Sequence, residues 1–328
     1  MAHGLPESAP VTIASMDFVA DIGATYTRCA LLDGDADPLA QQTFSNGEFA
    51  GIEDVLGAFL VECRALGRPR RAALAVAAPE VGDDFDMINL GWRFSRPALR
   101  ETLQLRELHI VNDFGAIARG LPSLTASDYR QVGDGEAVAG APLVVLGPGS
   151  GLGVASLVPS GDGWTAVPGE GGHVTLAATT PAEAAAIGHI RSSIGHCSAE
   201  RVLSGPGLVR LHATLGRLAG RTVPQVTAAE VTKLARQDDP LAVETLGMFF
   251  AFLGTVAADL TLTLGARGGV YIAGGIVPRL IDRLAASDFR ERFLAKGRYE
   301  RYMASIPTRV ITEPVPAFRG LRQLLGRR

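Results

Sequence analysis

The chain has 328 residues, 47% of them hydrophobic, a formal net charge of -3 and three cysteines. That is enough chain for two modest domains or one large one with a sizeable core, which excludes a disordered body, and the weak acidic balance offers no basic face to nucleic acid or anionic lipid. Cys29, Cys63 and Cys197 are scattered, with no CxxC spacing for structural zinc, and fit a reducing compartment.

Residues 1–15, "MAHGLPESAPVTIAS", have neither a basic n-region nor a continuous apolar h-region, so they read as a ragged extension rather than a signal peptide. "FVADIGATYTRCALLDG" (18–34) then reads as strand, turn, strand, with Asp21 at the first strand's tip and Gly23, Ala24 and Thr25 in the turn. "RRAALAVAAP" (70–79) is a buried-type strand stopped by proline. "SRPALRETLQL" predicts a helix starting at Ser95, with apolar spacing at Leu99, Leu103 and Leu105. "ELHIVNDF" (107–114) is a further strand ending in Asn112-Asp113, and "GLPSLTASD" around Pro122 reads as a linker. The expected domains are therefore residues 1–122 and 123–311, with 312–328 returning to the first.

"APLVVLGPGSGLGVASLVPSGDGW" (141–164) repeats the form of the opening stretch, a weak internal repeat. Helical patterns follow at 181–193 and 200–218, and "TAAEVTKLARQ" carries Thr227 and Glu230 in capping-box register. A long apolar helix is expected from Pro240 to about Leu264, then the strand "GGVYIAGG" (268–275), one more strand and a short basic helix. The uncharged stretch Thr245 to Ala258 falls short of the roughly 20 apolar residues that span a bilayer. Strands alternating with helices make the chain α/β, and the expected location is cytoplasmic.

Clustered glycines let backbone amides point at an anion without a Cβ in the way. "GPGSGLG" (147–153) has that character, and Ser150 adds a hydroxyl. The dinucleotide fingerprint GxGxxG fails, because Leu152 and Val154 stand where its last glycine would fall, and GxxxxGK[ST] is absent. Both of those loops run into a helix, whereas "VASLV" (154–158) continues as a strand. Any phosphate would be held by hairpin tips. Ordinary hairpin turns are the plain alternative for either tip alone. Two tips, one bearing an acid, plus Gly274-Gly275, which would let the chain pass close to a flat adenine, favour a nucleotide.

"DIGATYTR", "VNDFGAIARGLP", "GPGSGLGVA", "PGEGGH", "SAERVLSGPGL", "GGVYIAGGIVPR" and "KGRY" together resemble the bacterial glucokinases of the hexokinase/actin-like ATPase superfamily, over about 18–316. The resemblance implies a two-domain actin-like ATPase (ribonuclease H-like) fold around a central cleft. It implies transfer of the γ-phosphoryl group of ATP to the 6-hydroxyl of glucose with Mg²⁺, and it suggests a homodimer. In that frame Asp21 would hold Mg²⁺ through water, and Gly23, Ala24, Thr25, Gly149, Ser150, Gly151, Gly274 and Gly275 would line the nucleotide. The family carries glycine and then asparagine where this chain has Ala24 and Tyr26. A left-handed backbone at residue 24 would strain alanine by roughly 1 kcal/mol.

The family pattern maps the sugar site onto Asn89, Asn112, Asp113, Glu170, His173 and Glu200, hydrogen-bonding groups that suit a ring of hydroxyls. Plain alternatives stay open: Asn89 as a turn residue, Asn112-Asp113 as a helix cap, His173 as a core histidine, Glu200 as a solvent-facing acid. Asp113 is the candidate catalytic base, expected to be ionised at neutral pH with an ordinary pKa of about 4. Glu170 and Glu200 would lie near the 1- and 2-hydroxyls, and domain closure would help bring Glu200 to the sugar. The rival readings are a kinase of the same fold for mannose or fructose, a sugar-responsive regulator that would need a DNA-binding module, and a nucleotide-binding oxidoreductase weakened by the failed fingerprint.

Overall fold

The computed structural model describes residues 16–327; the extension expected at 1–15, and Arg328 of the returning tail, lie outside the described residues. β1 (Asp17–Ile22), β2 (Tyr26–Leu32) and β3 (Ala40–Ser45) form an antiparallel meander, and α1 (Ile52–Glu62) leads to β4 (Arg71–Val76). The hairpin of β5 (Asp84–Met87) and β6 (Trp92–Ser95) and helix α2 (Arg96–Thr102) precede β7 (Glu107–Asn112) and α3 (Asp113–Gly120). β4 runs parallel to both β1 and β7, so the sheet order is β3-β2-β1-β4-β7. β1 and β4 are covered on both faces, which is why they read as unbroken apolar runs rather than alternating ones.

After β8 (Tyr129–Val132), the strands β9 (Leu143–Pro148), β10 (Leu152–Ser160) and β11 (Gly163–Gly169) make a second antiparallel meander. Here α4 (Pro181–Ile194), α5 (Gly205–Leu218), α6 (Ala228–Arg236) and α7 (Pro240–Leu264) stand where α1 stood, and β12 (Gly269–Ile272) pairs parallel with β9. Short helices α8 (Ile281–Ala285), α9 (Phe289–Leu294) and α10 (Glu300–Ala304) lead to β13 (Thr308–Ile311), parallel to β12, and to α11 (Ala317–Leu324). The order is β11-β10-β9-β12-β13-β8. Set aside the antiparallel edge strand β8, and the two sheets share order and polarity. The faint repeat in the sequence is a repeat of topology, the duplicated architecture of the actin-like ATPase fold.

Local signals set the helix starts. Ser95 accepts from the Ala98 amide at α2, and the Thr227/Glu230 capping box is formed at α6. Asp239 caps α7, and Gly265 ends it in the left-handed region at φ 60°. With 25 residues, α7 is long and apolar enough to cross a bilayer. It is instead a core helix, wrapped by α5, α6 and α9 and burying Phe249, Phe250, Phe252 and Leu253.

The helix that closes each repeat crosses to the other sheet. α3 follows β7 yet packs on β9, β10 and β11; α11 follows β13 yet packs on β1 and β4, and the two helices pack on each other. Their crossing is close because Gly320 lies on the Ala116 carbonyl, leaving no room for a Cβ, and Gly120 sits tightly against Arg319 and Gly320. Phe318, Leu321 and Leu325 bury against Val19, Ala73 and Val111 of the first sheet. α3 thereby carries whatever sits at its N-terminus to the seam between the sheets.

Candidate active site

The β1–β2 tip is braced from beneath by Asn46, which is 2% exposed. Its Nδ2 donates to the Gly23 carbonyl at 2.8 Å, its Oδ1 accepts from the Thr27 hydroxyl at 2.7 Å, and its backbone amide donates to the Thr25 carbonyl at 2.9 Å. Gly23 N donates to the Tyr26 carbonyl at 3.1 Å, while the amides of Ala24 and Thr25 donate to nothing among the described residues. Two unused amides in one tight turn suit an anion. The strain expected at Ala24 is absent: outside glycine, only Gln104 and Asp238 have positive φ among the described residues. Asp21, at the end of β1, faces its cross-strand neighbour Arg28 at 3.3 Å. Burial pushes the Asp21 carboxyl above the usual carboxylate range and Arg28 pulls it part of the way back.

At the β9–β10 tip the glycines divide into two groups. Gly147 and Gly153 are cross-strand partners; the ring of Phe114 fills the space a Cβ would need on Gly153, and the Ala273 backbone together with that ring fills it on Gly147. They serve packing. Gly149 and Gly151 form the tip itself, where Gly149 N donates to the Gly151 carbonyl at 2.8 Å and the amides of Ser150 and Gly151 donate to nothing among the described residues. The exposed Ser150 stands between them. The tip is held from outside by Gly205 N, which donates to the Gly149 carbonyl at 2.8 Å, and by Glu200, whose Oε2 accepts from the Leu152 amide at 2.9 Å. Gly274, at φ 87°, lies against the Pro148 carbonyl at the base of this tip, and Gly275 beside it borders open space.

Between the tips stands the start of α3. Asn112 caps it: Oδ1 accepts from Gly115 N at 3.0 Å and Nδ2 donates to the Ala78 carbonyl at 3.3 Å, so the capping alternative holds for this residue. Asp113, half-buried, accepts from Phe114 N at 2.9 Å. Its pKa is not the ordinary 4 expected from sequence. Burial first, then the charge of Asp21, and to a smaller degree that of Glu170, raise it to about 7 against the pull of backbone hydrogen bonds. The same shift puts Asp21 and Glu170 each within electrostatic reach of Asp113. Residues 113 and 114 thus link the two halves, Asp113 through the charge of Asp21 and Phe114 by packing into the second tip.

Glu170 and His173 flank a single 3-10 turn, 3.7 Å apart and both well exposed, so His173 is not a core histidine. Gly172 lets this turn lie on the Leu152 carbonyl of β10. Backbone bonds from Ala199 N to the Val174 carbonyl and from Leu176 N to the Cys197 carbonyl draw it alongside Glu200. Glu200 lies in a short 3-10 turn (Ala199–Arg201) rather than at the start of α5, which begins at Gly205. Asn89 sits exposed on the β5–β6 turn and has no hydrogen bond to the other candidates. No group of three or more His, Cys, Asp or Glu suited to a metal occurs among the described residues. Asp21 and Asp113 offer carboxylate oxygens only, a donor set that fits Mg²⁺, which keeps most of its ligands as water and phosphate.

Sequence reasoning passed over Asn46, Phe114 and Gly205. Asn46 sits in "TFSNGEF", which looks like any polar turn. The Phe next to Asp113 finds its partners, Gly153 and Gly147, only through the tertiary fold.

The sequence matches the family described as glucokinase over residues 18–327. A glucokinase of Aromatoleum aromaticum is 46% identical over 92% of this chain and 92% of its own length. One from Paramagnetospirillum magneticum is 43% identical over 95% and 98%. Among solved structures, the crystal structure of a glucokinase from an Antarctic psychrotroph superposes with a TM-score of 0.84 at 33% identity, covering 95% of this chain and 99% of that one.

Proposed function

The chain belongs to the glucokinase family, and from that premise we propose that it transfers the γ-phosphoryl group of ATP to the 6-hydroxyl of glucose, with Asp113 as the general base. The observation that carries the assignment is the position of Asp113, half-buried at the α3 N-terminus with Asp21 on one side and the Phe114-packed tip on the other. The open amides of 24, 25, 150 and 151 support two grips on the triphosphate. Asn89, Glu170, His173 and Glu200 would hold the hexose, with Asn112 contributing mainly by fixing the start of α3. Gly274 and Gly275 would border the base.

A primary hydroxyl is a poor nucleophile. As its oxygen bonds to the γ-phosphorus, its proton passes to an Asp113 oxygen, the bond to the β–γ bridging oxygen breaks and ADP leaves. A carboxylate with a pKa of about 7 accepts that proton more readily than an ordinary one and is still substantially ionised at neutral pH. Phosphoryl transfer otherwise depends on alignment and charge neutralisation, so the tips do the remaining work by fixing the phosphates in line. Mg²⁺, held beside Asp21 through water, would neutralise charge on the β- and γ-phosphates. We place the enzyme in the cytoplasm as a homodimer, with a boundary near Pro122 and residues 312–328 belonging to the first domain.

Asp113→Ala should lower kcat by about 10²–10⁴-fold and leave ATP binding largely intact. Near-normal turnover would remove Asp113 from the role. ADP release from MgATP, measured with glucose, mannose and fructose in turn, tests the substrate.

A further inference from the structure

Glu200 is the one candidate sugar residue whose side chain is already bonded to a phosphate-side loop. Its backbone is fixed at both ends: Ala199 N bonds to the Val174 carbonyl, and the Ser204 hydroxyl, which caps α5, donates to the Glu200 carbonyl at 2.8 Å. Its carboxylate reaches the β9–β10 tip, where Oε2 accepts from the Leu152 amide at 2.9 Å. Oε1 accepts nothing among the described residues. Gly151 makes room for this approach, since a Cβ there would collide with Oε2. Diverting the Leu152 amide to a carboxylate leaves the two preceding amides, those of Ser150 and Gly151, as the free donors of the tip.

We propose that Glu200 couples the hexose site to the phosphate site, one carboxylate oxygen holding the β9–β10 tip in its phosphate-binding shape while the other takes a sugar hydroxyl. The second half of this rests on the reading of Glu200 as a sugar residue; the first half does not. A carboxylate beside a triphosphate is unfavourable unless it organises donors, and a hydrogen bond to a charged acceptor is roughly twice as strong as a neutral one. Sugar bound to Oε1 orders the side chain, so the tip is better formed when nucleotide arrives. Linkage makes the effect reciprocal: nucleotide that fixes the tip fixes Glu200 for the sugar.

The experiment is calorimetric titration of Mg·AMPPNP into the full chain, with and without glucose, for the parent protein, Glu200→Ala and Glu200→Gln, together with the glucose KM of each. Glucose should tighten AMPPNP binding to the parent. Glu200→Ala should weaken AMPPNP about ten-fold in the absence of glucose, abolish the tightening and raise the glucose KM. Glu200→Gln keeps an amide oxygen able to accept from Leu152, so its glucose-free AMPPNP affinity should return to within about two-fold of the parent while its glucose KM stays raised. Gly151→Ala, which displaces the carboxylate without altering it, should also raise the glucose KM, and it keeps the test open should Glu200→Ala fail to fold.

Unchanged glucose-free AMPPNP affinity in a folded Glu200→Ala would show that Glu200 serves the sugar alone and would overturn the coupling. A normal glucose KM with weakened AMPPNP would overturn it from the other side, by removing Glu200 from the sugar site.

Discussion

The β1–β2 and β9–β10 tips occupy equivalent places in two sheets of one topology, yet they are held by different means. The first is braced within its own sheet by a buried neutral amide, Asn46, 23 residues along the chain from Gly23. All the bonds Asn46 makes there are to that turn and to Thr27 at the start of β2. A satisfied neutral group in a low-dielectric site has no second state to adopt, and it rigidifies what it touches. The second tip is held by groups from elsewhere: the Phe114 ring from α3, Gly205 N from α5, and a half-buried carboxylate 48 residues away at Glu200. Duplication thus produced one tip braced within its own sheet and one whose shape depends on what surrounds it.

Substitutions can break this contrast. Gly153→Ala should have the largest effect, because its Cβ enters the Phe114 ring and the displacement passes directly to Asp113. A shift near 1 Å at a reacting group costs about 10²-fold in rate, so turnover should fall by that order. Parent-like turnover would refute the claim that the second tip positions the base. Asn46→Ala should act more narrowly. It strands the Thr27 hydroxyl and the Gly23 carbonyl, costs about 1–3 kcal/mol in chemical denaturation, and should raise the KM for ATP more than that for glucose. An equal rise in both would mean that the first tip is not an isolated seat.

Asp113, which feels both halves, sharpens the contrast through pH. Its folded pKa, about 7, lies above the ordinary 3.8, so the native state holds the proton more tightly than the unfolded one. Stability contributed by the protonated form is present at low pH and is lost as pH rises through about 7. In metal-free buffer with EDTA at pH 8, Asp113→Asn should therefore melt above the parent, with the gap narrowing on acidification toward pH 5. A lower melting temperature at pH 8 would contradict the desolvation account. The smallest effect is expected at Ala24. Because residue 24 is not left-handed, Ala24→Gly should change the KM for ATP by no more than about two-fold.

Much of the scaffold could be read from the chain. β1, β2, β9 and β10, the caps at Ser95 and Thr227, and the span of α7 all follow local rules of pattern and capping, and they form as expected. β3, with its polar "AQQTFS", and the β5–β6 hairpin carry weaker patterns, and sequence reasoning assigned neither. At the site, glycine spacing marked the β9–β10 tip but did not tell which glycines free an amide and which make room for a ring. A glycine records only that a Cβ is missing; what occupies the space comes from elsewhere in the chain. Asn89 lies on an exposed turn and has no hydrogen bond to the other candidates.

By itself the sequence determined the strongly patterned strands, the turn chemistry and the family, and it singled out Asp21 and Asp113 as candidates, because these depend on neighbours along the chain. Tertiary structure alone decided that α3 and α11 cross between the sheets, that Phe114 seats in the second tip, that Glu200 reaches the Leu152 amide, and that Asp113 titrates near neutrality. Desolvation, steric fit and charge–charge energy are set by distances through space, and no local pattern encodes them.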